Sequence, residues 1–173
     1  APGQVAPLRL DVAISEPDAG RAISGVDLAV LDGQGGLRFM GDFKWSDPAT
    51  RLIQTATISA LAGSGGEGTA VSMNEGARTD LELRWRIDDL AIHSGSGLTN
   101  AGEAQAICTL SMTVLDARTR RPIAQRTETR MVPVGGGDLA RVQGLQRVAA
   151  DAALAAAQFV SETAQSRADA AKD

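Results

Sequence analysis

Hydrophobic and polar residues alternate along much of this chain, and the places where the alternation changes period mark its elements. Leu8, Leu10 and Val12 stand between polar or small neighbours, and Val26 to Leu31 is a second apolar run. Both read as strands joined through a polar turn around Glu16 to Gly20. Asp32, Gly33, Gly35 and Gly36 supply the next turn. Leu37, Phe39, Phe43 and Trp45 then share one face of a strand that is interrupted near Gly41. At Ser46-Asp47-Pro48 the period changes: either polar side chain can cap a helix, and Pro loses nothing in a first turn. Leu52, Ile53, Ala56, Ala60 and Leu61 recur at helical spacing, Gly63 is the stop, and Gly63 to Gly68 is a loop before a short strand at Thr69 to Met73.

The second half is more regular. Leu81, Leu83, Trp85 and Ile87 alternate strictly, but Leu90 and Ile92 fall on the opposite phase, which places a bulge at Asp88-Asp89. Cys108, Leu110, Met112 and Val114 alternate with Thr109, Ser111 and Thr113. Asp116 to Pro122 is a turn, and Ile123 to Val134 is a further amphipathic strand. These three long strands are expected to be consecutive and antiparallel. After Gly135 to Gly137, Asp138 is a candidate cap. Val142, Leu145, Ala149, Ala152, Ala156, Phe159 and Thr163 then line one face of a long helix. The expected fold is α+β, a single mixed, mostly antiparallel sheet carrying two principal helices, in the order β-β-β-α-β-β-β-β-α. Residues 1–7 read as a linker, 8–165 as one domain, and 166–173, which lack an apolar stripe, as a frayed tail.

Composition narrows the classes of function. At 173 residues the chain can bury a core without staples, and aromatics contribute only 3%, so aliphatic side chains must build it. A net charge of -4 with no Lys/Arg run removes the basis for binding a phosphate backbone, so nucleic acid is not an expected partner. Cys108 is the single cysteine and forms no internal disulfide. No apolar run approaches the roughly 18 residues of a membrane span. Ala1 to Pro7 is small and Pro-punctuated, as a linker left behind by a removed anchor would be.

Little in the chain suggests catalysis. His93 is the single histidine, stands before the Gly/Ser-rich Ser94 to Gly97, and reads as a polar residue at a strand end rather than a general base. Cys108 shares its face with Leu110, Met112 and Val114, where a buried small hydrophobe belongs. Gly63, Gly65 and Gly68 match G-x-G-x-x-G in spacing, yet follow a helix and precede a strand, the reverse of a dinucleotide loop. Asp88 and Asp89 point to opposite faces unless a bulge realigns them. Trp45 and Trp85 fit core packing, with either one available as a binding anchor. No cofactor, metal or catalytic residue is expected.

Several phrases, in this order, resemble the ABC-type transport auxiliary lipoprotein family and its PqiC-like domain. They are Phe43-Lys44-Trp45-Ser46-Asp47-Pro48 followed by Arg51-Leu52-Ile53-Gln54, Asp80-Leu81-Glu82-Leu83, Val114-Leu115-Asp116-Ala117-Arg118-Thr119 with Ile123-Ala124, and the final Ala-rich helix. The resemblance runs from about Leu8 to Val160. It implies a non-catalytic periplasmic domain, tethered by an N-terminal lipid anchor, most often to the outer membrane, and working beside ABC transporter subunits and an MCE-domain protein in lipid trafficking. The signal peptide and lipidated cysteine of an intact member are not in this sequence. A homo-oligomer or docking complex is expected, with Phe39, Phe43 and Trp45 and the strand residues Thr127, Thr129 and Met131 as contact candidates. Two alternatives stay open: a lipid carrier with its ligand between helix and sheet, and an envelope adaptor unrelated to transport.

Overall fold

The computed structural model describes residues 4–94 and 104–173, and the Gly/Ser-rich stretch after Ser94 lies outside them. Four strands precede the first helix: β1 (Val12–Ile14), β2 (Asp18–Ala19), β3 (Asp27–Leu31) and β4 (Leu37–Lys44). After α1 (Ala49–Ala62) come β5 (Ala70–Ser72), a single 3-10 turn (Met73–Glu75), β6 (Leu81–Ser94), β7 (Ala104–Asp116), β8 (Pro122–Val134) and α2 (Asp138–Ala170). The fold is α+β, one mixed sheet with two helices packed on it.

The long strand β6 is the axis of the sheet. On one side it pairs antiparallel with β7, and β7 with β8, as their shared alternation requires. On the other side it pairs parallel with β1, β2 and β3 in turn, so the N-terminal chain runs alongside β6 as one interrupted strand. β5 extends the sheet beyond β1, and β4 beyond β3. Two local readings change here. Leu8 and Leu10 precede the strand, and the Glu16–Gly20 turn contains the two-residue β2, held against Arg86 and Ile87. The bulge at Asp88 is where the phase change placed it: Ile87 faces Leu110, Asp89 faces Thr109, and Asp88 is the extra residue.

One face of the sheet is the core. Leu81, Leu83, Ile87, Ile92, Ala106, Cys108, Leu110 and Val114 are almost fully buried beneath α2. Trp85 joins them, its indole N–H donating to the Ser15 carbonyl at 2.7 Å, which satisfies the polar edge of an otherwise apolar ring. The alanines of α2 bring it close to its neighbours. Ala152 and Ala156 are fully buried, and a side chain at Gly144 would lie 2.2 Å from Val134 Cγ1. The buried surface of α2 is wider than the single stripe expected, because Ala153, Ala157 and Ala164 are also covered. Thr57 of α1 donates to Ile53 O and to Ala153 O, and Ser161 donates to Ala6 O, so α1 and the N-terminal segment take this second side.

The helix boundaries follow different chemistry from that expected. Pro48 and Gly137 occupy the N-cap positions, and neither helix has a side-chain cap. Asp47 instead pairs with Arg51, and Asp138 sits in the first turn of α2, where a negative charge suits the helix dipole. The buried side of α1 includes Thr50, Gln54 and Thr57, while Ala56 is exposed. At the other end α2 stays helical through Ser166–Ala170, the stretch expected to fray. Arg167 meets Asp116 at 2.7 Å and Asp169 meets Arg9 at 3.3 Å there.

Candidate functional site

The two helices leave the opposite face of the sheet without a covering element among the described residues. Because side chains alternate, that outer face is built from the odd-numbered residues of β7 and β8 and from Asp89, Ala91 and His93 of β6. Cross-strand pairing sets five apolar residues in one lateral row: Phe39 faces Ala29, Ala29 faces Ala91, Ala91 faces Ile107, and Ile107 faces Met131. Four strand spacings make this row about 19 Å wide. Leu31 and Leu37 lie in the next row, toward the β6–β7 connection. Phe39 is 46% exposed, Leu37 48% and Met131 58%, three of the four large apolar side chains exposed among the described residues. Leu37 and Phe39 are exposed at one end of the row and Met131 at the other, while Ala29 and Ala91 between them are buried.

Of the six contact candidates, the structure brings four to this face. Phe39 and Met131 end the apolar row, and Thr129 and Thr127 continue along β8 beside it, Thr129 with its hydroxyl 3.1 Å from that of Thr109. Phe43 and Trp45 are elsewhere. Met40 to Phe43 bulge opposite Leu28, since Asp27 pairs with Lys44 but Ala29 pairs with Phe39. This irregularity includes Gly41, where an interruption was expected, and it reverses the phase. Phe43 and Trp45 therefore pack toward the core, and Trp45 lines a cleft of about 350 Å³ between α1 and α2 with Leu52, Ala56 and Ala149.

Sequence reasoning missed Ala29, Ala91 and Ile107, each unremarkable alone. The available signal was the phase: Ile107 falls on the polar phase of its strand, between Gln105 and Thr109. It also missed the group beside the row. Asp89 and His93 close over Ala91 at 2.7 Å, which a larger residue at position 91 would obstruct. Burial raises the Asp89 carboxyl above its ordinary range, and the nearby imidazole opposes that shift. On the core side of the same strands, burial pushes the Cys108 thiol up to about 12, with the Asp89 charge adding to it, so at neutral pH the sulfur is a protonated packing group. Among the described residues β8 is also an edge strand, paired along one side with β7 alone and punctuated by Pro133, Arg126, Glu128 and Arg130.

No helix among the described residues is long and apolar enough to cross a membrane. No curated protein matches the chain. Among solved structures, a DUF330-family protein from Xanthomonas campestris superposes with a TM-score of 0.84 at 18% identity, covering 95% of this chain and 94% of its own. PelC from Paraburkholderia phytofirmans, a dodecamer, superposes with a TM-score of 0.54 at 12% identity over 92% and 93%. At these identities the likeness is one of fold. The sequence itself carries the assignment: a family model matches residues 1–157, and the chain belongs to the ABC-type transport auxiliary lipoprotein component family.

Proposed function

We propose that this domain is a non-catalytic docking module of an ABC-type transport system in the bacterial envelope, and that the outer sheet face receives its protein partner. The observation that carries the reading is the exposure of Leu37, Phe39 and Met131, large apolar side chains on a sheet face that neither helix covers, with Ala29 and Ala91 buried between them. Antiparallel sheets ordinarily present polar residues on their solvent side, and an apolar band there is stabilised once a partner removes it from water. Family membership supplies the kind of partner, a component of the transporter. In this proposal the partner is an MCE-domain protein or a transporter subunit, the cargo is lipid, and the domain is lipid-anchored on the periplasmic side of the outer membrane. The PelC dodecamer supports a second expectation, that copies of this chain associate with one another.

The test is co-isolation from detergent-extracted envelopes with the full-length tagged protein. The wild type is expected to bring down a transporter or MCE-domain subunit. A Phe39→Ser/Met131→Ser variant, altered at exposed positions only, is expected to fold normally by circular dichroism and lose that subunit. Recovery of the wild type alone, or undiminished capture by the variant, would overturn the proposal.

A further inference from the structure

Among the described residues β8 pairs with β7 alone, so the other side of this 13-residue strand has no strand partner. A long open edge is a template for another strand, and the side chains along it decide which strand fits. Alternation places Arg126, Glu128 and Arg130 on the face of Met112, Leu110 and Cys108, and Gln125, Thr127 and Thr129 on the other face. Glu128 meets Arg130 at 2.8 Å and Arg126 more loosely at 3.8 Å. Arg126 also meets Glu162 of α2 at 3.0 Å, and Arg130 donates to Thr129 O at 3.1 Å. Charge along this face therefore runs positive, negative, positive, a pattern that can match itself when the strand is laid antiparallel on a copy.

Two identical antiparallel strands are related by a two-fold axis, and the residue on the axis sets the register. With Arg126 on the axis it faces its own copy. With Glu128 there, Glu128 faces Glu128 and Arg126 faces Arg130, so like charges oppose throughout. With Thr129 there, Glu128 faces Arg130, but Pro133, which has no N–H to give, falls opposite Gln125 inside the pairing. With Thr127 on the axis, Arg126 of each copy faces Glu128 of the other, Gln125 faces Thr129, Thr127 faces Thr127, and Pro133 lies past the end of the opposing strand. Side chains directly opposite stand about 4.5–5.5 Å apart at Cβ, close enough for both ion pairs to form.

We propose that β8 pairs antiparallel with β8 of a second copy of this chain, about a two-fold axis through Thr127 that joins the two sheets into one. An axis perpendicular to the sheet keeps both outer faces on the same side and leaves the docking face open. The inference rests on the expectation that copies of this chain associate, and it adds the surface and the register. The test is sedimentation velocity of the purified domain over a concentration series. The wild type is expected to reach twice its monomer mass. Arg126→Glu and Glu128→Arg each set like charges opposite one another at both pairs, and each should weaken the dimer at least tenfold. Mixed in equal amounts, the two variants carry opposite signs at every facing position and should form a one-to-one heterodimer. Thr127→Cys is the second measurement and leaves the charges alone. Cys108 is buried, so the new thiol is the accessible one, and mild oxidation should yield a covalent dimer, whereas Gln125→Cys should not. A wild type that associates but is indifferent to both charge reversals, a mixture that stays monomeric, or equal crosslinking at positions 125 and 127 would overturn the β8 assignment while self-association stands. A wild type that stays monomeric throughout would overturn both.

Discussion

Replacing Gly66 by alanine tests how the N-terminal segment is fastened. A Cβ at this position would stand 2.0 Å from the Leu8 carbonyl oxygen and 2.3 Å from its amide nitrogen. Both are backbone atoms, so no rotamer change relieves the contact. Reaching an ordinary separation of about 3.4 Å requires the two chains to part by roughly 1.4 Å. That breaks the Gly68 N–H to Leu8 O bond at 2.8 Å and the Leu8 N–H to Ser64 Oγ bond at 3.0 Å, and loosens the fully buried Leu8 side chain. Two hydrogen bonds at about 1 kcal/mol each, with part of a leucine burial worth about 1.5–3 kcal/mol, give a loss of roughly 2–5 kcal/mol. For a domain of this size the melting temperature should fall by roughly 5–15 °C. Calorimetry beside Gly20→Ala, where an added Cβ meets nothing within 4 Å, supplies the comparison. Equal melting temperatures for the two variants would refute the argument.

Three further outcomes follow from the core and the hairpin turn. Cys108, with its thiol pushed up to about 12, should resist iodoacetamide at pH 8 in the folded protein and react fully in urea, and rapid native alkylation would contradict its burial. Asp116 is held at about 2 by the Thr119 amide and then by Arg167. A depressed carboxyl stabilises the fold fully above its unfolded value near 4 and loses that contribution as pH falls toward 2. The urea midpoint should therefore decline over this window, and less steeply in Asp116→Asn. Ala156→Leu places extra methylenes in a fully buried contact and should cost about 1–3 kcal/mol, read as a drop of roughly 2–10 °C in melting temperature.

The elements legible in the sequence were those whose own residues enforce them. Leu81 to Ile87, Cys108 to Val114 and Ile123 to Val134 follow a period of two because the core is on one side of the sheet. The phase slip at Asp88-Asp89 was readable because it moves Leu90 and Ile92 onto the wrong parity. Other features depend on partners distant in the chain. Nothing in Asp18-Ala19 announces a strand, since two residues gain their geometry from Arg86 and Ile87. The parallel alignment of β1, β2 and β3 on β6 is likewise a choice of neighbour that alternation does not encode. The buried side of α1 was misjudged because Gln54 and Thr57 are polar by type. Gln54 donates to Ile14 O at 2.9 Å and Thr57 to Ile53 O at 2.9 Å, and a satisfied polar group packs as readily as an alanine. The contact candidates split for a similar reason, as the bulge at Met40 to Phe43 turns one apolar phrase into two faces.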